Sequence, residues 1–255
     1  MLIDELLTYL FDEKSHLLAA PMATWLASSR RFTAFVTAYQ TKIRKKLRTA
    51  QESETLRDLQ LELETAYLLL RDQSLSVEYE PQHPKLGRSP DFAVSFTTSF
   101  VFMVEVTRFR ATQPRTQLGV QEHADETQSP NPTPTVPLLS ERFSDMLCSK
   151  LGQLLSQRSN VLLIGIEAPH LAHADLHAAM LRIQQRAESN DSTVIHRYGF
   201  RDRADFFNHY QRLSALLVRG IPLQAGEPVV IWVNPQAKYP LPTKVRTALS
   251  RSHTL

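Results

Sequence analysis

The chain has 255 residues, 42% hydrophobic and 22% charged, with a formal net charge of +3. That balance is ordinary for a globular protein with a substantial core, and the mild basicity permits a nucleic-acid partner without requiring one. A single cysteine, Cys148, excludes an internal disulfide framework and a thiolate zinc site, and no run reaches the ~18 apolar residues of a membrane span, so a cytoplasmic protein is expected.

Residues 1–58 are expected to be helical. The opening MLIDELLTYLFDEK places acids inside its apolar stretch and has no basic leader, which argues against a secretory signal. In RRFTAFVTAYQTKIRKKLR, Phe32, Val36, Tyr39, Ile43 and Leu47 recur at three- and four-residue steps and predict one buried stripe. Lys42, Arg44, Lys45 and Arg48 fall opposite, as a solvated face or a phosphate-binding one. A second helix is predicted over about 53–72, followed by a short strand in LSVEYEP and a Pro/Gly loop in QHPKLGRSP. DFAVSF and FVFMVEVT, joined by Thr97-Thr98-Ser99, read as a hairpin.

The stretch at about 110–139 is rich in Pro, Thr and Gln and lacks apolar periodicity, so a mobile insertion is expected there. A helix is predicted over about 140–157, then NVLLIGIEA as a buried central strand, and another helix over about 171–188. DRADFFNHYQRLSALLVRG reads as one further amphipathic helix on Phe206, Tyr210, Leu213 and Leu217, and PVVIWVNP as a last strand. The order helix, strand, strand, strand, helix, strand over about 53–168 predicts an α/β (α+β) fold with a mixed sheet flanked by helices. Residues 1–52 would form a helical extension to a main domain over 53–255.

Chemistry concentrates in the hairpin. If it is symmetric about Thr98, Phe96 lies opposite Phe100 and Asp91 opposite Glu105, which brings two carboxylates to within ~5 Å. Carboxylates that close repel unless a cation lies between them, and a hard divalent ion with oxygen ligands is the natural occupant. The alternative is that Asp91 only caps the strand and Glu105 faces water. It conflicts with FVFMVEV being apolar on both faces, which makes a partly buried glutamate. In the helix that follows, Lys150 stands four residues after Met146 and three after Leu147, on the apolar side, with Gln153 one turn beyond. An ammonium there needs a long reach to water or a carboxylate across the interface, and Glu105 and Asp91 are the acceptors available.

The segment from Glu62 to Gln153 resembles the PD-(D/E)XK nuclease superfamily. Pro90-Asp91 resembles its PD, and Glu105-Val106-Thr107 its (D/E)XK with threonine in place of lysine. Glu62, in LELETAYLLL, resembles the glutamate of the preceding helix and is preferred to Glu64, which is expected to project towards solvent. Lys150 and Gln153 resemble the variant whose lysine has moved to the following helix. The resemblance implies a restriction-endonuclease-like core with order αβββαβ. It also implies Mg²⁺ or Mn²⁺ on Asp91, Glu105 and the Val106 carbonyl, with further roles for Lys150, Gln153 and Glu62. The activity implied is metal-assisted hydrolysis of DNA phosphodiester bonds, in a restriction-like or defence-associated enzyme. The departure at Thr107 keeps a second reading open, a nuclease-fold module that binds nucleic acid or a protein partner without turnover.

Other signals are weaker. His170, His173 and His177 fall at helical spacing, but the pattern lacks the glutamate of H-E-x-x-H and reads as surface histidines. Arg197, Arg201, Arg203, Arg212 and Arg219 interleave with aromatics in a pattern that grips nucleic acid or builds an amphipathic helix. Trp25, Trp232 and Cys148 read as core or boundary residues.

Overall fold

The apolar stripes of the sequence become helix faces in a computed structural model, which describes residues 2–12, 15–50, 52–82, 89–97, 99–110, 136–167, 173–222 and 229–253. The chain opens with α1 (Ile3–Phe11), α2 (Ala19–Ser28) and α3 (Arg30–Thr49), then α4 (Ser53–Leu69). Ser29 caps α3 by accepting a hydrogen bond from the Phe32 amide at 3.2 Å, satisfying one of the helix's open donors. Phe32, Val36, Ile43 and Leu47 are buried as their spacing predicts.

Three strands follow, β1 (Leu75–Tyr79), β2 (Phe92–Phe96) and β3 (Phe100–Phe109), then α5 (Val136–Leu151) and β4 (Ser159–Ile166). The chain closes with α6 (His173–Glu188), the single turn α7 (Ser192–Ile195), α8 (Arg203–Tyr210), β5 (Leu213–Gly220), β6 (Val230–Val233) and α9 (Thr243–Ser252). The six strands form one open mixed sheet in sequence order. Pairs β1–β2, β2–β3 and β5–β6 are antiparallel, while β3–β4 and β4–β5 are parallel.

β4 explains the layering. All eight of its residues are buried, as a parallel strand covered on both faces requires. Val161 and Leu163 pack into a core shared with α1 to α4 and α9. Leu162, Ile164 and Ile166 pack into a second core with α5, α6 and α8. The N-terminal helices thus share one apolar core with the sheet. Gly165 leaves room for Ile221 and for α4, since a Cβ there would run into the Ile221 side chain and stand 2.8 Å from Leu61 Cδ2. That approach sets the position of Glu62, the next residue along.

The order α4-β1-β2-β3-α5-β4 is the order read from the sequence. Several boundaries differ. The helix expected over 140–157 begins at Val136 and ends at Leu151, with Gly152 and a run of turns after it. Asp202 caps α8 by accepting from the Asp205 amide, and this helix stops at Tyr210. LSALLVRG is therefore a central strand and not the second half of a helix. Leu213 and Leu217 are four apart, the spacing of one helix face, but in the strand they pack into opposite cores, because a register shift against Asn160 and Val161 of β4 falls between them. The closing helix α9 was not foreseen. Residues 111–135, most of the expected insertion, lie outside the described residues. Among the described residues no helix is long and apolar enough to cross a membrane.

Candidate active site

The hairpin register is the one its symmetry predicts. Phe96 pairs with Phe100 and Phe92 with Val104, which sets Asp91 opposite Glu105 one step further. On the other side of β2, Tyr79 pairs with Phe92, and the Glu80 amide donates to the Asp91 carbonyl at 2.8 Å. Glu80, Asp91 and Glu105 therefore form a row of acids across the ends of three neighbouring strands. Glu62 joins them from α4.

Each acid is held differently. Glu105 is buried on the α5 side of the sheet, and the Lys150 ammonium reaches it at 3.2 Å. Asp91 turns into the plane of the sheet, where its Oδ2 accepts from the Val106 amide at 2.7 Å. It occupies the ladder position that β2 no longer supplies beyond Phe92. The Val106 carbonyl points to the same side, because a strand residue's N–H and C=O share a direction in the ladder. Glu62 and Glu80 share one cation, with Lys46 Nζ of α3 at 2.6 Å from an oxygen of each. Burial, then the Glu105 and Glu62 charges, push the Asp91 carboxyl up to about 7, while the Val106 amide and Lys46 pull the other way. The row thus has an ammonium at either end and a surplus of negative charge in the middle. The buried Tyr79 phenol, beside Glu62, is held neutral by burial and by these acids.

Asp91, Glu62, Val106 and Thr107 floor a groove of about 580 Å³, whose walls carry Arg110, Arg142, Lys150 and Arg197. An acidic floor under a rim of arginines and a lysine, interleaved with Asp58 and Asp145, suits a polyanion that meets a metal ion. Arg108, with a side chain 1% exposed, is not part of the exposed rim. Glu54, Asp58 and Glu167 all pair with it, and Arg110 pairs with Asp58 at 2.6 Å. Opposite them, Asp145 accepts a hydrogen bond from the Tyr198 hydroxyl and lies 3.5 Å from Arg197.

The structure brings Asp91, Val106, Lys150 and Glu62 onto one groove, with three differences from the expectation, the first being that Glu105 lines the small cavity behind it and not the groove itself. Lys150 reaches Glu105, whereas the cation whose charge bears on Asp91 is Lys46. Gln153 does not line the groove. It borders a cavity of about 10 Å³ behind Glu105, with Pro90, Met103 and Asn160, and its Oε1 is buried without a partner among the described residues. A direct role for Gln153 at a phosphate does not fit that place. Glu64 is corrected as well, for it does not project to solvent but pairs with the buried Arg219 at 2.6 Å.

Lys46 and Glu80 were missed. The arithmetic that flagged Lys150 applies to Lys46 too, three residues after Ile43 and seven after Tyr39 on the buried stripe. Glu80 was hidden by its backbone, whose φ of 46° ends β1 in the left-handed region. The basic face of α3 is largely spent inside the molecule: Arg44 and Arg48 pair with Asp12, and Lys42 lies 3.8 Å from Glu80. His173 and His177 are exposed on α6, and His170 lies outside the described residues. Phe200, Phe206 and Tyr210 are core residues, and Cys148 is buried with its thiol pushed up to about 12, inert at neutral pH.

Among the described residues no three His, Cys, Asp or Glu side chains come together as a group that could hold a metal ion. Mg²⁺ does not need such a group, since it usually keeps several waters and takes one or two carboxylates. Hard oxygen donors, a surplus of negative charge and an open groove fit such an ion. Comparison of the chain with known protein families, curated proteins and solved structures finds no match.

Proposed function

We propose that this chain is a divalent-metal-dependent nuclease with a restriction-endonuclease-like core, which hydrolyses phosphodiester bonds of nucleic acid, DNA foremost. The observation that carries the reading is Asp91 opposite Glu105 at the hairpin ends, with Lys150 3.2 Å from Glu105 and with Asp91, Lys150 and Glu62 on one groove. Asp91, Glu105 and the Val106 carbonyl would hold Mg²⁺ or Mn²⁺. When bound, such an ion lowers the pKa of a water and polarises the phosphate.

The chain's own residues supply the rest. Lys150, fixed by Glu105 and by its place on α5, presents an ammonium where negative charge develops on the phosphate, so Thr107 need not do so. Arg142 and Arg197 on the groove wall orient the backbone of the substrate. The Val106 amide holds Asp91 to one orientation, with its other oxygen left for the ion. A binding module without turnover is the second reading, favoured by Thr107 on the groove floor in the place of the family's lysine.

The test is cleavage of plasmid and single-stranded DNA with Mg²⁺ or Mn²⁺. Wild type should cut. Glu105→Gln should fold and lose activity, and Lys150→Met should slow the reaction by roughly 2–4 kcal/mol of barrier, or about 30- to 1,000-fold. Equal cutting by wild type and Glu105→Gln would remove the proposal, and metal binding without cleavage of any substrate would favour the binding module.

A further inference from the structure

Lys46 belongs to the N-terminal helices and to no part of the motif that suggests hydrolysis, yet it lies at the acidic row. Its Nζ stands 2.6 Å from Glu62 Oε1 and 2.6 Å from Glu80 Oε1. It lies 4.8 Å from the centre of the Tyr79 ring, a cation–π contact that helps hold it. The flanking Ile43 and Leu47 are buried, so the helix cannot turn the ammonium away without opening the core.

That geometry supplies two of the oxygens that a metal ion would take, with water completing its shell. Two carboxylate oxygens at 2.6 Å from one point match the outer limit of Ca²⁺–oxygen distances, and a small inward shift reaches those of smaller ions. Glu80 is aimed there by a left-handed backbone, φ 46°, which a residue with a side chain adopts only when its surroundings hold it. Lys42 does not duplicate the contact, since it lies 3.8 Å from the other Glu80 oxygen and spends donors on the Tyr79 and Glu80 carbonyls.

We propose that Lys46 is a positioning residue that fills, with a side-chain cation, the place between Glu62 and Glu80 where a second divalent ion would bind. The site is thereby limited to the single ion held by Asp91 and Glu105. The inference rests on the reading of Asp91 and Glu105 as ligands. It assigns the N-terminal helices a part in the site, because only α3 delivers this ammonium. It also explains why Glu62 can stand on the groove without recruiting metal itself.

The test is Mn²⁺ stoichiometry, read from the electron paramagnetic resonance signal of free Mn²⁺ during titration of the full chain. Wild type should bind one ion. Lys46→Met should bind two, Lys46→Arg one, and Lys46→Met with Glu80→Gln should return to one. Far-UV circular dichroism checks folding, and Lys46→Gln replaces Lys46→Met if the latter is not folded. A Lys46→Met protein that still binds one ion overturns the inference and leaves the metal site intact. Two ions in wild type also overturn it. No ion in wild type removes the metal site and the inference together.

Discussion

Asp91 is the residue at which the charges balance least. It has an acid on either side in the row and, among the described residues, no ammonium in contact with its carboxylate. Its carboxyl is raised to about 7 against an ordinary value near 4, so the folded protein holds a proton there that the unfolded chain has released. Stability from this group is therefore full below about pH 4 and falls as pH rises to about 7, by at most roughly 4 kcal/mol. Asp91→Asn keeps an acceptor for the Val106 amide and removes the charge. Its melting temperature should exceed that of the wild type at pH 8 without metal, and the two should converge near pH 4. A variant less stable than wild type at pH 8 would contradict the charge surplus. Much of this was legible from alternation and hairpin symmetry, which give register directly. The in-plane turn of Asp91 was not, since it depends on where β2 stops.

At the scale of elements, α4 is the piece that the first core and the site both depend on. It presents Leu59, Leu63 and Ala66 to the apolar core, Glu62 to the groove and Glu64 to Arg219 of β5. Arg219 is almost wholly withdrawn from water and Glu64 is partly buried, and Nε and Nη1 of the arginine have no partner among the described residues. Removing one partner of such a pair leaves the other charge buried, at a cost of roughly 3–5 kcal/mol. Arg219→Met should lower stability by about that much in a chemical denaturation experiment, and adding Glu64→Gln should recover part of the loss. A single variant with unchanged stability would mean that the pair contributes little. The sequence could not announce this contact. Glu64 and Arg219 are 155 positions apart, and the arginine sat in a stretch whose even apolar steps fit a helix. Helix stripes on α3 and α4 were legible because one face of each is buried. β5 is buried in seven of its eight residues, and such a strand carries no alternation to read.

Across the whole molecule, the candidate site draws residues from α3, α4, β3 and α5 and from the positions that follow β1 and precede β2, so it exists only when both layers of helices are docked on the sheet. Element order, a local property of composition and periodicity, was legible; the convergence of Lys46, Glu62 and Glu80 on the hairpin was not, because it is set by packing between elements distant in sequence. The central claim is that one divalent ion sits between Asp91 and Glu105. Replacing Mg²⁺ by Fe²⁺, which generates short-lived hydroxyl radicals with peroxide and ascorbate, maps that place by cutting the protein's own backbone beside the ion. Cuts should cluster near residues 91 and 105–107, with weaker ones near 62 and 80, and should be suppressed by excess Mg²⁺ and by Glu105→Gln. Cuts that gather elsewhere, such as at the histidines that open α6, or that persist unchanged in Glu105→Gln, would contradict the account.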